Sequence, residues 1–161
     1  MSTWQGHFRI NYIRVRDEAA FRAWVATLIV EGKIYIFEGG TSKLAGLLSL
    51  GAHTAIPRDR QLSSAEIHAW NVAHPDQPPL DPDDELHLTA IHEEGLDFTA
   101  ELAAHLVEGQ IAVVQEVGGE YLRYLTGFGY AFDHQGTVLT RSDIDDALNL
   151  PGGHRTTTPT Y

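Results

Sequence analysis

The chain has no cysteine. That excludes a disulfide framework and any thiolate chemistry, and it leaves the compartment open. Long apolar runs are missing as well. The longest stretches, such as Leu44 to Leu50, fall far short of the ~20 residues that a membrane helix needs. The opening segment MSTWQGHFRINYIRVRD alternates and carries arginines where a signal peptide would have an apolar core. A cytoplasmic protein without a membrane partner is the expectation. The nucleophile elbow G-x-S-x-G, the Walker A pattern and the H-E-x-x-H zinc pattern are all absent.

Basic residues are scarce in one part of the chain only. Residues 1–60 carry eight Lys/Arg against five Asp/Glu, a net of +3, while residues 61–161 carry three against seventeen, a net of −14. An excess of −11 over the whole chain argues against direct nucleic-acid binding, which needs cations on phosphates. It fits instead the attraction of a basic protein partner to the C-terminal half, or of one half to the other or to a second copy of the chain as a homo-oligomer.

What remains is an ordinary globular composition. The chain has 161 residues, 43% of them hydrophobic, enough for one domain with its own core. Residues 7–15 read as a strand through their β-branched and aromatic content. Asp17 opens a helix whose apolar positions Phe21, Trp24, Val25, Leu28 and Ile29 fall on one face, with Gly32 as its stop and 33–38 as the next strand. The order recurs later: a strand over 86–92, a helix capped by Asp97 with Phe98, Leu102 and Leu106 on one face, Gly109 as its stop, and a strand from Ile111. Residues 21–37 laid over 98–114 agree at seven of seventeen positions, including Phe21/Phe98, Gly32/Gly109 and Ile34/Ile111.

Between these halves, Thr41 to Leu50 reads as a helical piece. Ser63 to Ala73 reads as another, with the capping box Ser63-x-x-Glu66. The Pro/Asp-rich stretch 75–84 reads as a surface loop. Gly118-Gly119 predicts a hairpin turn and 120–132 a long strand. Asp133 to Gly136 predicts a second turn, 137–140 a short strand, and Ser142 the cap of a last helix. The expected fold class is α+β. It is a mainly antiparallel sheet with helices packed on one face and two βαβ-like halves, ferredoxin-like in spirit. A single domain spans 1–150, with halves at about 7–40 and 85–148, a helical insert at 41–74, and a flexible tail over 151–161.

Four groups of residues are candidates for function. Gly39, Gly40, Thr41, Ser42 and Lys43 follow a strand and precede the expected helix, so bare amides and side-chain donors would face an anionic, nucleotide-like ligand; a simple turn with an N-cap explains the same residues. Nine histidines are many, yet His87 and His92 fall on opposite faces of the expected strand, His68 and His74 do not align on a helix, and His105 sits on an apolar stripe. No metal and no cofactor is therefore implied. The strand 120–132 has an aromatic face with Tyr124, Phe128 and Tyr130. That face is core, or a partner surface if uncovered. Its other face shrinks to Gly127 and Gly129, as if a helix or ligand approached the backbone. The carboxylates Asp81, Asp83, Asp84, Glu85, Glu93 and Glu94 are a solvated run or a docking surface for a basic partner. With no catalytic set, the leading expectation is a non-enzymatic binding or regulatory protein of inhibitor or immunity type, acting through its acidic half. The alternative is a small-molecule protein or hydrolase using the Gly39–Lys43 loop.

Overall fold

The computed structural model describes residues 5–120 and 124–143. The chain runs β1 (Gln5–Ile10), α1 (Glu18–Thr27), β2 (Leu28–Ile29), β3 (Ile34–Glu38), β4 (Leu48–Ala52), β5 (Asp59–Arg60), α2 (Ser64–Ala73), a 3-10 turn (Leu88–Ala90), α3 (Phe98–His105), β6 (Ile111–Glu120), β7 (Tyr124–Asp133) and β8 (Val138–Asp143). Six strands form one sheet in the order β3-β4-β1-β6-β7-β8, and every neighbouring pair is antiparallel. The strands β2 and β5 pair separately as a short ribbon.

That order explains the helix placement. β1 and β3 both pair with β4, so they run parallel to each other, and α1 makes the crossover between them. β4 and β6 likewise flank β1, and the connection carrying α2 and α3 joins them. Two interlocked split β-α-β units make a four-stranded ferredoxin-like core, which β7 and β8 extend as a meander. The α+β class with an antiparallel sheet and helices on one face is what the sequence predicts.

The helices pack on the face formed by Phe8, Ile10, Leu50, Val114 and Phe132. α1 contributes Phe21 and Val25, and α3 contributes Phe98, Leu102 and Ala103. Asp17 and Asp97 start these helices as expected, each accepting the amide three residues on. Both helices end sooner than predicted, at Thr27 and His105. Leu28 and Leu106 already have extended backbone, and the glycines act later, in the turns that enter β3 and β6. Gly32 and Gly109 have φ of 101° and 78°, so both turns use a left-handed residue at the equivalent place. A second, smaller cluster of Leu62, Ile67 and Leu88 lies under α2, and Leu96 touches both clusters.

Four local expectations are corrected. The expected helix over 41–50 is a set of turns followed by β4, the strand that opens the second crossover. A short continuous apolar run fits a buried strand and a buried helix equally well. All five residues of β4 are buried, Ser49 donates to the Ile10 carbonyl at 2.7 Å, and Gly51 lies beneath Phe37. Residues 86–92 form no strand. They make one bridge, between His87 and Gln61, and then coil into the 3-10 turn, because no sheet edge lies beside them. Gly118 and Gly119 lie within β6, paired with Gly6 and Gln5 on one side and Thr126 and Leu125 on the other. Ser142 belongs to β8, opposite Gly129. The rest of that expected helix and the tail over 151–161 lie outside the described residues. No helix among the described residues is long and apolar enough to cross a membrane.

Because β4 is a central strand, Leu50→Ala should cost about 2–5 kcal/mol, whereas Leu139→Ala on the exposed strand β8 should stay within about 0.5 kcal/mol. Urea unfolding midpoints of the two variants measure the contrast. Equal small losses would contradict the central placement of β4.

Candidate functional site

Two carboxylates from different helices meet at one arginine. Arg60 sits on the ribbon β5, beside the start of α2 and facing α3. Its guanidinium donates through Nη2 to Glu66 at 2.6 Å and through Nε to Glu101 at 2.9 Å. Glu101 also accepts the indole Nε1–H of Trp24 at 2.7 Å, which ties α1 to α3. Glu66 accepts the Ser63 amide as well, completing the capping box read from the sequence. One cation therefore fixes all three helices relative to the ribbon. The Arg60 side chain is only 14% exposed, and burial alone would disfavour its charge. Hydrogen bonds to the two carboxylates win, so its pKa is raised. The same bonds hold Glu66 down from 4.5 to about 2.

Next to this hub runs a groove of about 750 Å³ between α2 and the segment 88–97. Trp70 forms part of its wall, stacked on His74 with ring centroids 4.5 Å apart. The opposite wall carries Glu93 and Glu94, both exposed. Asp97 closes one end while capping α3. Gly95 holds this wall in place: its φ is 72°, and a Cβ there would meet the Arg58 carbonyl at 2.5 Å. The Leu96 amide donates to that same carbonyl at 2.9 Å. Asn71 of α2 brackets the far side, exchanging two 2.8 Å hydrogen bonds with the backbone of Leu80 and so pinning the Pro/Asp-rich loop.

The predicted residues divide between places. Glu93 and Glu94 line the groove, while Asp81, Asp83, Asp84 and Glu85 stay in solvent on the loop, where Asp81 accepts the Asp83 amide in its own turn. Phe128 and Tyr130 lie on the sheet face that Phe8 and Ile10 share, toward the helices. Tyr130 is buried, stacks between Phe128 and Phe132, and is hydrogen-bonded by Thr99 at 3.1 Å. That is the core alternative for the aromatic face. The side chain of Tyr124 lies outside the described residues. The segment Gly39, Gly40, Thr41, Ser42 and Lys43 opens no helix, so it lacks the row of free N-terminal amides on which an anion cradle depends. The Gly39 amide donates to Leu47, and a Cβ at Gly39 would overlap the Leu44 carbonyl. His105 packs its ring against Phe21 and Trp24, and burial lowers its pKa, as suits a histidine at a core edge. Among the described residues no group of three His, Asp or Glu is placed to hold a metal.

Sequence reading missed Arg60, Trp70 and Glu101 as parts of one site. The capping box marked Glu66, yet nothing in the spacing shows that the same carboxylate also holds an arginine six residues upstream and, through it, Glu101.

The lowered Glu66 pKa sets a pH dependence. Its contribution to stability is present above its unfolded value of about 4.5 and is lost as pH falls toward about 2. Because the side chain is 39% exposed, screening holds this contribution to about 1 kcal/mol. Urea midpoints at pH 5.5 and pH 2.5 should therefore drop less for Glu66→Gln than for the wild type. An unchanged drop would place the acid sensitivity elsewhere. Compared with protein-family models, with curated proteins and with solved structures, the chain matches none.

Proposed function

We propose that the protein is a non-enzymatic binding or regulatory protein that engages a basic protein partner through the groove between α2 and residues 88–97. The observation that carries this reading is the position of Glu93 and Glu94. They stand exposed on one wall of a groove whose other wall is Trp70, and neither makes an ion pair among the described residues. An arginine side chain entering there would meet carboxylates on one side and an indole face on the other, the two groups that a guanidinium prefers. The surrounding charge supports the reading, since residues 61–161 carry a net of −14 and would speed the approach of a cationic surface. The hub behind the groove supports it too. Arg60, Glu66 and Glu101 also line the groove but are paired with one another, and the two outer glutamates take no part in that pairing.

Fluorescence anisotropy with a labelled nona-arginine peptide tests this on the full chain. Affinity should fall at least tenfold between low and about 0.5 M salt, because exposed charge pairs are screened within a few ångströms there. Glu93→Lys combined with Glu94→Lys should weaken binding at least tenfold at low salt. Asp83→Lys combined with Asp84→Lys changes the net charge equally, outside the groove, and should weaken binding less than about threefold. Equal losses from the two pairs would show that the peptide reads overall charge alone, and the groove would lose its role.

A further inference from the structure

The helices cover one face of the sheet, and the other face carries a second cavity that the acidic groove does not involve. It measures about 640 Å³, within the ~300–1,000 Å³ usual for small-molecule sites. One rung crosses all six strands beneath it: Tyr35, Gly51, Arg9, Gln115, Gly129 and Ser142, in sheet order. Two of these six positions have no side chain: Gly51, which lies under Phe37, and Gly129, next to the β8 edge. Tyr35 and Phe37 make the wall, with rings 6.3 Å apart and 28° from parallel, and they are 41% and 37% exposed. His7 and His53 close one end, their Nδ1 atoms 2.8 Å apart, so one ring donates its proton to the other.

The two rung glycines differ in what explains them. A Cβ on Gly51 would press on Phe37 at 3.3 Å and on the Phe8 carbonyl at 3.1 Å, so packing accounts for that glycine. A Cβ on Gly129 would make only ordinary contacts, 3.4 Å to the Val114 carbonyl and 3.6 Å to Gln115. Its φ is not left-handed, and the irregularity of the β7–β8 pairing falls later, between Ala131 and Phe132. Glycine weakens a strand interior, and neither the backbone nor the packing asks for it here. A ligand lying against the strand does.

Charge selects the kind of ligand. Arg9 rises from the middle of the floor with its guanidinium 5.0 Å from the centre of the Phe37 ring. Among the described residues it makes no ion pair with a carboxylate. The one carboxylate among the described residues that line the cavity, Asp143, lies on β8, three strands from Arg9 and so about 14 Å away by strand spacing. We propose that this face binds a small planar aromatic anion. Its ring would lie on the backbone at Gly129, and its anionic group would be held by Arg9, two strands away on the same rung.

Isothermal titration of the full chain with 2-naphthoate tests the site. 2-Naphthalenemethanol serves as the uncharged twin and cyclohexanecarboxylate as the non-aromatic one. Saturable binding of naphthoate is expected, with both twins at least tenfold weaker. Arg9→Gln should weaken naphthoate about tenfold, the loss of one charge-assisted hydrogen bond. Gly129→Val should abolish saturation, and Lys43→Gln should leave affinity unchanged. If Gly129→Val fails the circular-dichroism check for folding, Gly129→Ala replaces it, and weakening is again expected. The proposal is overturned if naphthoate does not bind at millimolar concentration, or if either twin binds equally well. It is overturned equally if the Arg9 and Gly129 variants bind like the wild type, or if sedimentation shows a dimer that Gly129→Val dissociates, which would make the face a contact between two copies of the chain.

Discussion

A six-stranded sheet has two faces, and the helices among the described residues pack on one. Most of the described structure follows from that asymmetry. Both crossovers leave the sheet on the same side, so Phe21, Val25, Phe98 and Leu102 converge on the strand residues Phe8, Ile10, Leu50, Val114 and Phe132, and the core is a single layer between sheet and helices. The side chains that alternate with these point the other way, among them His7, Arg9, Tyr35, Phe37 and Gln115, and no helix among the described residues covers them. In antiparallel sheets such alternation between a packed and a solvated face is common. Here the solvated face is partly aromatic and partly glycine, a composition that solvation alone does not favour.

On the covered side, the helices are held by packing and by a polar clamp. Arg60 takes two carboxylates from two helices, and one of these carboxylates takes an indole from the third. Removing one partner would leave a largely buried charge uncompensated, which costs more than the intact arrangement contributes. The clamp therefore acts chiefly on geometry, fixing where α2 stands relative to α3. The width of the groove between α2 and residues 88–97 follows from that separation. The two concavities thus have different origins. One is a gap between elements joined through an ion pair, and the other lies on the sheet face that the described helices leave open.

Local chemistry was readable where it depended on neighbours in the chain. Asp17, Ser63 and Asp97 cap their helices because a side-chain oxygen can reach an amide three residues on, whatever the rest of the fold does. The turn at Asp133 to Gly136 was equally legible, since Asp133 accepts the Gln135 and Thr137 amides and Gly136 takes the left-handed conformation. Where sheet pairing decided the outcome, the same reading failed. Residues 48–52 and 86–92 each have apolar content that a strand can use. Only the first finds strands on both sides, while the second has nothing to pair with beyond one bridge to Gln61.

By itself, then, the sequence determined the α+β class, the caps, the start of α1 and α3, the left-handed glycines before β3 and β6, and the concentration of negative charge after residue 60. These follow from spacing, backbone preference and composition, which act over a few residues or over none in particular. Only the tertiary structure decided which carboxylates meet. It separated Glu93 and Glu94 from the loop acids and joined Glu66 to Glu101 through Arg60. It also brought His7 to His53 and put Arg9 on one rung with Gly51 and Gly129, over separations of 42 residues and more. Pairing register aligns such residues on one rung, and register is a property of the whole sheet that no local stretch of sequence contains.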